Sequence, residues 1–161
     1  MKRCAISGLL VLMLVGCGGG GPPAPVAARP YQDPGFVADG DFEMRYGTLL
    51  AVELAPGLAS AYGLDRRSDL AVLSLSVLRR RPGETPLPVA AEVSGFFSGL
   101  LGEVRPLKFR TLDLAGGVSY LAQFKVRDRQ PVVLQLEARP SVASTRVLRA
   151  RIVREFSIES R

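Results

Sequence analysis

Cys17 is the residue with the plainest chemistry in this chain. It closes the stretch Leu14-Val15-Gly16-Cys17, behind a basic Lys2-Arg3 pair and an apolar run from Ala5 to Val15 broken only by Ser7 and Gly8. A thiol in that setting takes a diacylglycerol as a thioether, the peptide before it is cut away, and the freed amino group can be acylated. The run is too short to span a hydrocarbon core, which needs about twenty helical residues, and it fits the h-region of a removable signal. The expectation is a lipoprotein signal peptide over 1–16 and a lipid anchor on Cys17. One acyl chain holds a protein only marginally, so two or three are needed for stable attachment. Gly18 follows the cysteine where an aspartate would resemble an inner-membrane retention signal. The outer membrane, with the folded domain in the periplasm, is the expected address.

Arginine is the second unusual feature. Removing the first sixteen of 161 residues leaves nineteen basic side chains against fifteen acidic ones, and seventeen of the nineteen are arginine. Arg79, Arg80 and Arg81 are consecutive in one turn, and Arg149 and Arg151 share one face of a strand opposite Leu148, Ala150 and Ile152. Guanidinium groups make bidentate pairs with carboxylates and phosphates. These five arginines are therefore the candidate surface for an anionic ligand, against the plainer reading of a solvated face that also protects an edge strand. Arg154 falls on the apolar side of the same strand, which calls for a bulge near Val153 or a sheet edge there. The compartment disfavours nucleic acid.

Composition excludes several kinds of catalysis. With no histidine there is no Ser-His-Asp or Cys-His site and no histidine-bound metal or haem. Cys4 leaves with the signal, so Cys17 has no disulfide partner. Ser94-Gly95-Phe96-Phe97-Ser98-Gly99 departs from the Gly-x-Ser-x-Gly elbow. Neither Lys108 nor Lys125 follows a serine by three positions, and nothing makes Glu92, Glu103 and Asp113 converge. Asp33, Asp39 and Asp41 lack the ligand spacing of a calcium loop. No enzyme activity, cofactor or metal is expected.

The positioning elements follow from periodicity. Residues 17–41 are rich in glycine and proline and read as the lipidated cysteine plus a tether. From Phe42 the period is two: Phe42, Met44, Tyr46, Thr48, Leu50, Val52 and Leu54 share one face of a first strand, with a bulge at Gly47. Pro56 to Gly63 predicts a short helix or turn near 57–63. Further strands are predicted over 70–78, 89–97, 106–112, 118–126, 132–138 and 147–156, separated by turn-rich segments. Seven strands without a long helix predict an all-β, antiparallel immunoglobulin-like sandwich over 42–161, a single domain. A small open barrel is the alternative.

Ala61-Tyr62-Gly63-Leu64 with Arg66 and Ser68, then Val89 to Gly95, Leu100-Leu101-Gly102, Leu107-Lys108-Phe109 and Val118-Ser119-Tyr120, resembles the bacterial family called domain of unknown function 4426. That family also places an Ala-Tyr-Gly turn before an Arg and a Ser, and a Leu-x-Gly turn between its middle strands. The resemblance covers about 42–157 and implies a small exported β-sandwich without an assigned activity. The chain departs from the family at its end, where Glu155-Phe156-Ser157 stands in place of an aromatic pair.

Tyr62 and Gly63 are structural-turn candidates. Tyr62 is expected to pack its ring under the first connection and bond the backbone, rather than line a groove. The functional expectation is a non-enzymatic envelope lipoprotein acting as an interaction or assembly module for an envelope protein partner. The alternative is a binding module for an anionic glycan, lipid headgroup or small ligand.

Overall fold

The computed structural model describes residues 35–99, 102–114, 117–142 and 145–158. Their alternating apolar residues build two antiparallel sheets. The first takes β1 (Phe36–Asp39), β2 (Phe42–Leu50), β3 (Leu70–Arg79), β8 (Gly117–Lys125) and β7 (Arg110–Leu114) in that order, with β4 (Leu87–Pro88) also pairing with β3. The second runs β10 (Leu148–Arg154), β9 (Val132–Pro140), β5 (Ala91–Ser98), β6 (Val104–Pro106). Leaving β1, β4 and β6 aside, the seven longer strands fall into the order first-second-fifth-fourth on one sheet and seventh-sixth-third on the other. That is the immunoglobulin arrangement.

Each sheet turns one face inward because one apolar face can be buried only against another. Met44, Leu73, Leu75, Val77, Ala122 and Phe124 from the first sheet join Leu134, Leu136, Ala138, Leu148, Ala150 and Ile152 from the second in one core. Phe124 lies between Phe97 and Phe156, with ring centroids 5.6 and 6.0 Å away. Phe156 therefore packs its ring into the core just where the chain departs from the family's aromatic pair.

Several elements differ from the sequence-based expectation. The sheet begins at Phe36 rather than Phe42: β1, read as tether, forms a hairpin with β2 in which Gly40 takes φ +57° at the first of two turn positions. The Arg146 guanidinium covers Gly40 and ion-pairs Asp39 at 2.5 Å, so a side chain at this position would have to displace it as well as adopt the left-handed backbone. No bulge interrupts β2 at Gly47, which pairs in register with Ser74. The strand ends at Leu50 instead of Leu54, where a 3-10 turn over Ala51–Glu53 starts with the Glu53 carboxylate accepting from the Leu50 N–H. The register of β10 is also unbroken to Arg154, and the strand lies at a sheet edge.

A short helix, α1 (Pro56–Ala61), lies on the outer face of the first sheet. Leu70 and Val72, which point away from the main core, are buried beneath it with Ala51, Ala59 and Leu64. This is why β3 reads as a nearly continuous apolar run rather than a clean alternation: both of its faces are covered at one end.

Candidate functional site

The turn after α1 is built first. Gly63 takes φ +59°, its N–H donates to the Ser60 carbonyl, and the Leu64 N–H donates to the Ala59 carbonyl. These two bonds make a Schellman cap, which needs a left-handed residue at the Gly63 position. The Arg110 guanidinium donates to the Gly63 carbonyl at 2.7 Å, and the Gln123 amide exchanges two bonds with the Asp65 backbone. Arg66 donates to the Val52 carbonyl at 2.8 Å. Tyr62 is half-buried against the small cluster under α1. The tyrosine that bonds the backbone across the structure is instead Tyr120. Its buried hydroxyl donates to the Ala91 carbonyl at 2.8 Å and accepts from the Ala91 N–H at 2.7 Å, tying β8 to β5 and hence one sheet to the other.

The five arginines do not form one surface. Arg79 ends β3, has its Cζ 6.0 Å from the centre of the Phe42 ring, and holds a buried Nε with no hydrogen-bond partner. Arg80 pairs with Glu43 at 2.8 Å, and Arg81 pairs with Glu84 at 3.6 Å in the following turn. Arg149 and Arg151 belong to the other sheet, on the outward side of β10. Three consecutive arginines look like a cluster along the chain, yet only Arg79 belongs to β3, and Arg80 and Arg81, beyond its end, turn to different partners. Cys17, the lipidation candidate, lies outside the described residues.

Around Arg149 and Arg151 the outer face of the second sheet carries a shallow concavity of about 530 Å³ that also takes in Ser94, Phe96, Gln135 and Glu137. The registers set the side chains in rows. Arg151, Gln135 and Phe96 are directly opposite one another across three strands, and Arg149, Glu137 and Ser94 form the next row. With strands about 4.8 Å apart, Phe96 and Arg151 stand roughly 10 Å from each other across the sheet. Phe96 is 48% exposed, although an aromatic ring of its size is ordinarily buried.

Charge on this face is uneven. Glu137 accepts from Arg139 at 2.8 Å and from Arg149 at 2.9 Å. The hydrogen bond from Arg139 is the largest influence on the Glu137 carboxyl; desolvation, the next in size, opposes it, and the hydrogen bond and charge of Arg149 help to hold the group below its ordinary range. Arg151 is exposed and forms no ion pair with a described residue. A carboxylate with a depressed folded-state value contributes stability above its unfolded value, and that contribution is lost as pH falls through the folded value. Carboxyl-carbon NMR of Glu137 is therefore expected to show a midpoint below the usual ~4.3, and Arg139→Gln to move it upward.

Two further concavities of similar size are present. One of about 410 Å³ is lined by Gly35, Phe36, Glu43, Arg45, Arg80 and Pro86, and the other, about 420 Å³, lies around Phe97, Lys125 and Arg127. No group of three or more acidic, cysteine or histidine side chains able to hold a metal ion occurs among the described residues.

A family model described as "Domain of unknown function (DUF4426)" matches residues 37–155. The chain belongs to this family. It is also similar to the crystal structure of a DUF4426 family protein from Pseudomonas aeruginosa PAO1, with 26% identity and a TM-score of 0.65 over 78% of this chain and 95% of that one. A search of curated proteins gave no match. For this DUF4426 domain, the resemblance seen in Ala61-Tyr62-Gly63-Leu64 and Arg66 now has a physical basis. Those residues make the capped turn that α1 needs to sit on the sheet, whereas the Phe96–Arg151 row is absent from the motifs that carried the resemblance.

Proposed function

We infer that this protein is a lipid-anchored, non-enzymatic component of the bacterial envelope whose sandwich serves as an interaction or assembly module in the periplasm. The row Phe96–Gln135–Arg151 carries the reading, because it sets an exposed aromatic ring on the same sheet face as a guanidinium that has no counterion among the described residues. Aromatic residues and arginine are the side chains most often found at the energetic centre of protein interfaces. The partner that fits is a protein segment offering an apolar side chain to Phe96 and a carboxylate to Arg151. The signal-like run before Cys17 and the Gly/Pro-rich stretch after it support the envelope address.

A photo-crosslinker at Ser94, inside the concavity, is expected to join the lipidated protein to one discrete envelope protein. Phe96→Ser combined with Arg151→Ser should abolish that adduct, and turnover of a substrate by the purified protein would sink the non-enzymatic part of the reading. The concavity of about 530 Å³ also supports a second reading, an anionic glycan or other small anion held at Arg151. Thermal-shift measurement separates the two, since a small ligand stabilises the fold by mass action whereas a protein-docking face should ignore it.

A further inference from the structure

We propose that the outer face of the β1-β2-β3 corner docks this domain onto an anionic phospholipid surface, an inference that rests on the reading of Cys17 as lipidated. Glu43 is the starting point. It lies between the core residues Phe42 and Met44 on β2 but points to the outer face, where only 4% of its side chain is exposed. Arg45 donates to it through Nε at 2.5 Å and Arg80 through Nη1 at 2.8 Å. Each guanidinium has five N–H donors, and one from each bonds Glu43, so the remaining donors are available to further oxygens.

Two positive charges held by one buried negative charge leave a fixed surplus of one. The two arginine side chains are 57% and 55% exposed. Phe36, directly opposite Arg45 in the register and 42% exposed, forms an apolar wall of the same concavity of about 410 Å³. Guanidinium groups recognise phosphate oxygens by parallel hydrogen bonds, and a phenylalanine beside basic residues is typical of surfaces that settle at the headgroup boundary.

The position of this corner selects the bilayer as its partner. Gly35, the first described residue, lines the concavity, so the chain coming from Cys17 arrives at this site. Eighteen residues separate Cys17 from Phe36, and at ~3.3 Å each they reach no more than about 60 Å. An acylated Cys17 thus keeps this corner within about 60 Å of the headgroups, where an individually weak contact becomes effectively intramolecular. Because the outer faces of the two sheets of a sandwich point in opposite directions, docking here turns the Phe96–Arg151 face toward the periplasm.

The test is co-sedimentation of the lipid-free mature chain, residues 17–161, with phosphatidylcholine vesicles made with and without phosphatidylglycerol, the lipid raised to the millimolar effective concentration that a short tether supplies, so that a weak contact registers. Binding should require phosphatidylglycerol and weaken as salt is added. Arg45→Gln should lower it roughly fivefold, the effect of one basic residue near an anionic surface, and Phe36→Ser should lower it further. Arg127→Gln removes the same charge from an exposed turn elsewhere and should leave binding unchanged. Arg45→Gln leaves Glu43 its bond to Arg80, and Phe36→Ser touches neither, so the fold is preserved in at least one variant. Absence of phosphatidylglycerol-dependent binding, or equal losses in Arg45→Gln and Arg127→Gln, would overturn the proposal. Failure of the lipid-anchor reading shows separately, as absence of acyl labelling on Cys17 in cells.

Discussion

Replacing Cys17 with serine is expected to abolish acyl labelling and to move the protein from the membrane fraction to the soluble fraction. The size of the effect follows from chain chemistry. Each buried methylene contributes about 0.8 kcal/mol, so one chain gives reversible binding and two or three give attachment that does not reverse on the time scale of fractionation. Serine keeps the shape of the side chain but cannot form the thioether. No helix among the described residues is long and apolar enough to cross a membrane, and the corner around Glu43 offers only a weak, salt-sensitive contact. Fractionation in high salt therefore isolates the anchor. Firm attachment of Cys17→Ser under those conditions would refute the lipid anchor.

Tyr120→Phe is expected to lower stability by about 1–3 kcal/mol, the usual consequence of leaving polar groups without partners in a protein interior. One hydroxyl serves both the N–H and the carbonyl of Ala91, so its loss strands a donor and an acceptor together at the start of β5. The phenylalanine ring still fills the same space, which separates the hydrogen bonds from packing. Urea unfolding should show a lower midpoint at an unchanged slope. The matched substitution Tyr62→Phe should have little effect. Equal losses at the two tyrosines would mean that Tyr120 contributes by packing alone.

The long strands were legible in the sequence because their alternation is strong. In β10, Leu148, Ala150 and Ile152 are buried and Arg149 and Arg151 are exposed, as a period of two requires. The short strands were not legible. β1, β4 and β6 have only four, two and three residues, and proline ends or interrupts two of them. Such pieces are strands only because a longer neighbour offers them a pairing edge. The same holds for β2, where Val52 and Leu54 continue the alternation after the strand has ended, since the Glu53 carboxylate bonds the Leu50 N–H and turns the chain.

The site was legible only in part. Arg149 and Arg151 could be placed on an exposed face from their neighbours alone. Phe96 could not, because Phe96-Phe97 gives no indication of which ring points inward, and pairing of β5 with β9 decides it. Glu43 was equally hidden: its second partner, Arg80, is 37 residues away. Tyr62 and Tyr120 could be told apart only by where Ala91 lies. In each case the missing information is long-range registration, which no local pattern contains.

Photo-crosslinking in intact cells tests the central claim most directly. The crosslinking residue is placed at Ser94, beside Phe96 and Arg151, and for comparison at Glu84 in the turn after β3. The account predicts one discrete adduct with an envelope protein from position 94, none from position 84, and loss of the adduct when Phe96→Ser and Arg151→Ser are added. No adduct from position 94, or the same adducts from both positions, would contradict the assignment of this sheet face as the surface through which the domain acts.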